Sequence, residues 1–329
     1  MTTGVGLDIG TMNIVSAKIK DDGQKVTQKV RDAFLDVPLT AKKMLKLSNV
    51  PYLERDNELL LVGDTALEMA NIFGKEVRRP LQDGLISPSE IDSVEILGFL
   101  LSSVMGMPSC PNEHVFYSVP APPLDYPDRD IVYHKGIFYN ALRQLGFTPH
   151  ASNEALAVVY SECAKDGFTG LTFSFGSGMT NVALAYNTIE CMTFSVARGG
   201  DWIDKGSAKN LGATASKMCA IKESGLDLMN PIGRDQQALA FYYRELIQYA
   251  LDNVVQEFIK VKDKFAFNKP IPIVIAGGTS LATGFLPFFK EVFETHRKRF
   301  PVQISEIRLA SDQLFAVANG LLIQAIQEY

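Results

Sequence analysis

Asp8 stands near the end of an apolar segment, Val5–Ile9, and Gly10-Thr11-Met12-Asn13 follows directly. A carboxylate at the end of a buried strand needs a partner or a cation. Beside a polyphosphate it can hold the water shell of Mg²⁺, which keeps several waters and takes only one or two carboxylates. A glycine-rich turn adds backbone N–H groups that can converge on an anion. Taken alone, Asp-x-Gly-Thr is as good a mark of a plain hairpin with a capping aspartate. The chain writes the turn twice, however. Phe173-Ser174-Phe175-Gly176-Ser177-Gly178-Met179-Thr180-Asn181 repeats the scheme about half-way along. Each copy reads as strand, turn, strand. The repeat predicts two similar domains facing each other, with the two turns as a phosphate clamp. Gly10, Thr11, Met12 and Asn13 would hold phosphate from one side. Gly176, Ser177, Gly178, Met179 and Thr180 would hold it from the other.

Three further groups could do chemistry. Gly277-Gly278-Thr279-Ser280, after a strand and before a helix, suits close approach by a flat ring or ribose, but alone it reads as a tight turn. Asn153 is a good N-cap, and Glu154 behind it is either a first-turn acid complementing the helix dipole or a carboxylate that orients water at a γ-phosphate. Asp125, Asp128 and Asp130 cluster past Val119-Pro120 and read first as a polar turn and helix cap. Gly4-x-Gly6-x-x-x-Gly10 is not a dinucleotide fingerprint, because its glycines precede and end the strand and no helix follows. No Gly-Lys-Ser/Thr is present, which excludes a P-loop NTPase.

The elements that must position these groups follow from periodicity. Val15, Ala17 and Ile19 share one face of a strand over Ile14–Lys20, and Lys25–Val30 completes a meander. Residues 31–80 read as a small insert with a short helix at Thr40–Leu47, a hairpin at Tyr52–Glu54 and Leu59–Val62, and a helix from Asp64 to Phe73. Ser87-Pro88-Ser89-Glu90 reads as a capping box opening a helix with Ile91, Val94, Leu97, Leu101 and Val104 on one face. His114–Val119 is a buried strand and Asp130–Leu145 a helix. In the second half Leu171–Phe175, Val182–Asn187, Ile189–Val196 and Pro272–Ala276 are strands. Asp201–Leu211, Thr214–Glu223, Gln236–Lys264 and Asp312–Gln327 are helices.

Of the 329 residues 47% are hydrophobic, ample for two cores, and the net charge is −5. That balance predicts no nucleic-acid partner, since such binding draws on a basic surface. The four cysteines are far apart and read as reduced thiols in a cytoplasmic protein. The first strand begins within four residues, which leaves no room for a targeting peptide or an amphipathic anchor. The longest apolar stretch, Ile96–Met107, is too short to span a bilayer. Membrane attachment is therefore not expected.

The order of these groups resembles the actin superfamily, which includes sugar kinases and ATP-driven chaperones. Gly6–Asn13 matches its phosphate-1 motif, Asn153–Glu162 its connect-1, Phe173–Asn181 its phosphate-2, Ile275–Gly284 its adenosine motif and Asp312–Ala325 its connect-2. Val62-Gly63-Asp64-Thr65-Ala66, Arg79–Ile86 and Gly199–Asp204 are most similar to bacterial actins of the MreB and magnetosome-filament types. The resemblance implies an α/β fold of two related ribonuclease-H-like domains around a nucleotide cleft, with a small α+β insert in the first. Domain I would comprise 1–152 plus 311–329, with the insert at about 31–80; domain II would comprise 153–310. It implies ATP or ADP with Mg²⁺, head-to-tail assembly with further copies, and cytoskeletal adaptor proteins as further partners. Asp8 falls where the family holds the Mg²⁺ shell and Glu154 where it polarises the attacking water. Lys222, Glu223, Gly277, Gly278 and Thr279 fall beside the adenosine.

One position departs from the pattern. Phosphate-2 begins Asp-x-Gly in the family, with that Asp at the metal; here the residue is Ser174. A hydroxyl can hydrogen-bond a metal-bound water but brings no charge, and charge-assisted bonds are about twice as strong as neutral ones. The expectation is nucleotide binding with slow or altered hydrolysis, at most a weak ATPase. The alternatives are a non-polymerising nucleotide-binding scaffold and a small-molecule kinase on the same fold, with the Asp125 cluster supplying the base.

Overall fold

β1 (Gly4–Ile9), β2 (Asn13–Ile19) and β3 (Lys25–Arg31) form an antiparallel meander whose first strand is buried along its length. The computed structural model describes residues 4–20, 22–50, 52–55, 57–87, 93–128, 131–262, 264–265, 267–300 and 302–327. The capping box past Ser87, Ile91 and Asp130 lie outside them.

The insert that follows holds β4 (Phe34–Pro38), α1 (Lys42–Leu47), β5 (Leu53–Arg55), β6 (Glu58–Val62) and α2 (Asp64–Phe73). Its strands pair in the order β4-β6-β5 over a small core of Leu35, Val37, Leu45, Leu59 and Leu61. Next come β7 (Leu81–Gln82) and β8 (Leu85–Ile86), a hairpin turned at Asp83 (φ 49°) and Gly84 (φ 83°). Positive φ at both positions is the turn whose twist suits a two-residue hairpin. α3 (Ser93–Met105), β9 (His114–Val119), α4 (Ile131–Gln144), β10 (Thr148–Asn153) and α5 (Glu154–Glu162) follow. α3 buries Ile96, Leu97, Leu100, Leu101 and Val104; Val94, expected on that face, is exposed.

The second half carries β11 (Gly170–Phe175), β12 (Thr180–Tyr186), β13 (Ile189–Val196), α6 (Gly200–Leu211), α7 (Ala215–Gly225), α8 (Gly233–Val261), β14 (Ile271–Ala276), α9 (Phe285–His296), β15 (Ile304–Leu309) and α10 (Ala316–Gln327). Its large core is strongly aromatic, with Phe173, Phe175, Phe285 and Phe289 in mutual contact.

The two five-stranded sheets have one topology. The first runs β10-β9-β1-β2-β3; the second, read from its far edge, runs β15-β14-β11-β12-β13. In each, the glycine hairpin is antiparallel and the strands before it are parallel. Register repeats as well: Ile9 faces Ile14 as Phe175 faces Thr180, and Asp8 faces Val15 as Ser174 faces Asn181. The duplication read from the turns is thus a duplication of whole sheets.

α5 and α10 lie between the sheets, in a cluster with Phe116 of the first and Val274 and Ala276 of the second. They cross so closely that a Cβ on Gly320 of α10 would sit 1.8 Å from the Ala157 carbonyl oxygen of α5. Any side chain there would force the helices apart.

Candidate functional site

Both glycine turns open onto one cavity of about 330 Å³ between the sheets. In each turn the first glycine N–H donates across the hairpin, Gly10 to Asn13 O (3.1 Å) and Gly176 to Met179 O (2.9 Å). The turns are held together by the β7–β8 hairpin, whose Gly84 N–H donates to Thr11 Oγ1 at 3.0 Å. A Cβ on Gly178 would lie 2.2 Å from Gly84 N and 2.4 Å from Thr11 Oγ1. Only glycine lets the second turn come this near the first.

Asp8 and Glu154 line this cavity as half-buried carboxyl groups. Asp8 Oδ1 accepts from Ser118 Oγ at 2.9 Å, and the same hydroxyl accepts from the Ile9 N–H at 2.8 Å. Glu154 is the first residue of α5, whose N-cap Asn153 accepts from Leu156 N at 3.0 Å. Its Oε1 accepts from Ser174 Oγ at 2.6 Å and its Oε2 from Asn181 Nδ2 at 2.9 Å. Burial pushes both carboxyl pKa values up; the charge of Asp8 raises Glu154 further, while the serine hydrogen bonds work the other way. Among the described residues no lysine or arginine forms an ion pair with either. Two desolvated carboxylates without a cation are costly. The donor set therefore fits a dication that keeps most of its waters, as Mg²⁺ does. No group of three or more His, Cys, Asp or Glu converges among the described residues.

The expected site residues meet here with one exception. Asp8, Gly10, Thr11, Met12, Asn13, Glu154, Ser174, Gly176, Ser177, Gly178, Met179, Lys222, Glu223, Gly277, Gly278 and Thr279 all line the cavity. Thr180 does not: its hydroxyl turns away and donates to Arg198 O at 2.8 Å. Several of the others are already engaged. Lys222 Nζ bonds Asp204 Oδ2 (2.6 Å) and Gly200 O (3.1 Å). Glu223 pairs with Arg31 across the mouth at 3.1 Å. Thr279 Oγ1 donates to Gly176 O, bracing the second turn. Asp125 accepts from Ala197 N (2.8 Å) and Tyr249 OH (3.4 Å), a structural tie rather than a free base.

Sequence reasoning assigned no role to Ser118, Arg31, Lys29 or Tyr243, nor to Asn181 although it ends the second glycine-rich run; Ser118 and Asn181 hold the carboxylates and the others line the cavity. Lys29 and Arg31 carry a signal that could have found them. They alternate on β3, the strand beside the first hairpin.

A clasp on the rim links the two halves. Arg79 Nη1 reaches Asp201 at 2.9 Å, and Asp201 Oδ1 also accepts from Ser177 Oγ at 2.7 Å. Lys205 pairs with Asp83 at the hairpin tip, 3.2 Å away.

Comparison with known proteins is consistent with this geometry. The family model described as Volactin matches residues 1–325. The chain belongs to the Volactin family. No curated protein matches this Volactin-family chain by sequence. Among solved structures it is similar to the MamK double helical filament, at a TM-score of 0.73 and 18% identity over 98% of each chain. It is also similar to MreB5 of Spiroplasma citri bound to ADP, at a TM-score of 0.62 and 16% identity over 98% of this chain and 96% of that one. A third is the ethanolamine utilization protein EutJ from Carboxydothermus hydrogenoformans, at 0.57 and 14% over 98% and 90%. The Volactin-family chain therefore has the actin-superfamily fold. No helix among its described residues is long and apolar enough to cross a membrane.

Proposed function

We propose that the chain binds ATP or ADP with Mg²⁺ between domain I (1–152 plus 311–329) and domain II (153–310), and assembles head to tail into a cytoplasmic filament. One observation carries the nucleotide reading: two glycine hairpins of identical register open onto one cavity that is also lined by two carboxylates, Asp8 and Glu154, neither of them in an ion pair among the described residues. Gly10–Asn13 and Gly176–Met179 are assigned to the phosphates, Asp8 to the ion's water shell and Glu154 to the attacking water. Lys222, Glu223, Gly277 and Gly278 are assigned to the adenosine side. The dication would supply charge neutralisation of the phosphates when bound. Filament assembly is supported by the fold shared with MamK, which forms a double helical filament. A head-to-tail contact whose rotation does not close propagates into a filament.

Hydrolysis is proposed to be slow, because Ser174 brings a hydroxyl where a charge would grip the ion. Calorimetry of folded protein with Mg²⁺ and ATP or ADP tests the first reading; absence of heat refutes it. Sedimentation and negative-stain images with ATP, ADP and no nucleotide test assembly, and a monomer at every salt and concentration refutes that part. Phosphate release by wild type and Ser174→Asp tests the third: the variant puts a charge at the ion and leaves Asn181 as the one remaining anchor of Glu154. An unchanged or lower rate counts against it.

A further inference from the structure

Asn181 is buried (1% exposed) on β12, and its amide is used at both ends. Oδ1 accepts from the Ala121 N–H at 3.1 Å, and Nδ2 donates to Glu154 Oε2 at 2.9 Å. The orientation of the amide is fixed by this network, because the flipped form would set acceptor against acceptor and donor against donor. Ala121 follows β9, the strand whose Ser118 holds Asp8. Both cavity carboxylates are thus referenced to one short stretch of chain, residues 118–121. That stretch is itself pinned to the second sheet, where Ser195 Oγ donates to Ala121 O at 2.6 Å and Leu124 N donates to Ser195 O.

We propose that Asn181 is a positioning residue for nucleotide hydrolysis, setting the carboxylate plane of Glu154 against the end of β9. This rests on the proposed nucleotide site and deepens it. Glu154 must aim one oxygen lone pair at the attacking water. Ser174 alone leaves its carboxylate free to turn about the Oε1 bond, and the second anchor at Oε2 removes that freedom. No other residue type of this size gives a donor to the carboxylate while accepting a backbone N–H. Aspartate would oppose Glu154 with like charge, and leucine would leave Ala121 N–H and Glu154 Oε2 without partners.

The test is a double-mutant cycle between Asn181→Leu and Glu154→Gln, reading phosphate release and the affinity for a non-hydrolysable ATP analogue with Mg²⁺. The expected result is turnover lowered about tenfold to a hundredfold in Asn181→Leu, with analogue affinity within about threefold of wild type. In the Glu154→Gln background the same substitution changes turnover little, because there is no base left to position. A merely structural role would lower both backgrounds alike. Asn181→Ser, which keeps a donor but cannot span both partners, gives an intermediate loss and serves if the leucine variant does not fold. Full turnover in both Asn181 variants, or losses that add to that of Glu154→Gln, overturns the proposal. So does wild type that binds the analogue but releases no phosphate, an outcome that leaves the nucleotide site standing. Wild type that binds no nucleotide removes the site and the proposal together.

Discussion

Replacing Ser174 by aspartate reverses the sign of an interaction at the centre of the cavity. In the wild type Ser174 Oγ donates to Glu154 Oε1 at 2.6 Å, from a buried hydroxyl to a half-buried carboxyl. With the Glu154 pKa pushed up, its neutral form is favoured in nucleotide-free protein, so the hydrogen bond that the variant loses contributes about 1 kcal/mol rather than the charged-group value. The variant also sets a second carboxylate roughly 4 Å from the first, where like charges repel by about 4 kcal/mol at an effective dielectric of about 20. Proton uptake by Glu154, whose pKa burial already raises, relieves part of that. The net cost to the nucleotide-free protein is then about 3–4 kcal/mol. At about 2–4 °C per kcal/mol for domains of this size, the unfolding midpoint falls by roughly 10 °C. On the proposed site, Mg²⁺ with nucleotide is expected to reverse the penalty, since the added carboxylate would then face a cation.

Ser174→Ala separates the two effects. It removes the hydrogen bond without adding charge, so it costs about 1 kcal/mol and gains nothing extra from Mg²⁺. The assay is thermal unfolding of wild type and both variants, nucleotide-free and with ADP at increasing Mg²⁺. The Asp variant is expected to be the least stable without ligand and to gain the most from it. If it is as stable as wild type without ligand, or if Mg²⁺ stabilises the Asp and Ala variants equally, the placement of Ser174 between Glu154 and the ion is wrong.

Arg79→Ala strands Asp201, which is only 9% exposed, beside Ser177. It should lower stability by about 2–3 kcal/mol in chemical unfolding, somewhat under the cost of breaking a fully buried pair because Arg79 is 34% exposed, and should weaken nucleotide affinity through the second turn. Gly178→Ala places a Cβ 2.2 Å from Gly84 N; the β7–β8 hairpin must move, and calorimetry should show nucleotide binding weakened by roughly tenfold or more. His134 is buried on α4, accepts from Ile86 N through Nδ1, and leaves Nε2 without a partner. Burial lowers its pKa from 6.5 to about 4, so between those values the unfolded chain binds the proton more readily and stability falls as pH drops. About 3 kcal/mol is at stake over the window, and the difference in stability between wild type and His134→Gln, measured at pH 7 and pH 4, should shrink by about that much; a constant difference refutes the burial argument.

Much of the fold was legible because the signals were local. Val5–Ile9 with Gly10, and Leu171–Phe175 with Gly176, declare strand and turn within a few residues, and the repeat of the pair supplied the architecture. β4, β10, α9 and β15 escaped. β15 reads Ile-Ser-Glu-Ile-Arg-Leu and exposes both Ser305 and Glu306, so it has no continuous apolar run, and its strand character comes from pairing with β14. The aromatic run of α9 has Pro287 in its first turn, which masks the helical period. In the site, the backbone loops were legible because glycine marks them. The side chains that hold the carboxylates were not. Ser118 lies 110 residues from Asp8, and Asn181 lies 27 from Glu154 and 60 from Ala121. Nothing local distinguishes such a serine or asparagine from one that merely satisfies a strand end. Thr180 shows the reverse failure: it belongs to the glycine-rich run, yet it already pairs in β12 and turns its hydroxyl to Arg198.

The internal repeat makes Ser174 more than a missing charge. By register Asp8 and Ser174 occupy the same place on duplicate hairpins, opposite Val15 and Asn181. In the first copy that place is an acceptor, satisfied by Ser118 from the neighbouring strand. In the second it is a donor, and the group it satisfies is Glu154 on the helix between the sheets. Val15 opposite Asp8 is apolar and makes no polar tie, whereas Asn181 opposite Ser174 makes two. The first hairpin is therefore built to present a charge to the cavity and the second to fix the direction of one. An aspartate at 174 would give the cavity a third carboxylate, beside Asp8 and Glu154, and take away one of the two anchors of Glu154. The gain in ion grip and the loss of alignment then oppose each other, and the sign of the change in turnover reports which of the two limits the wild type.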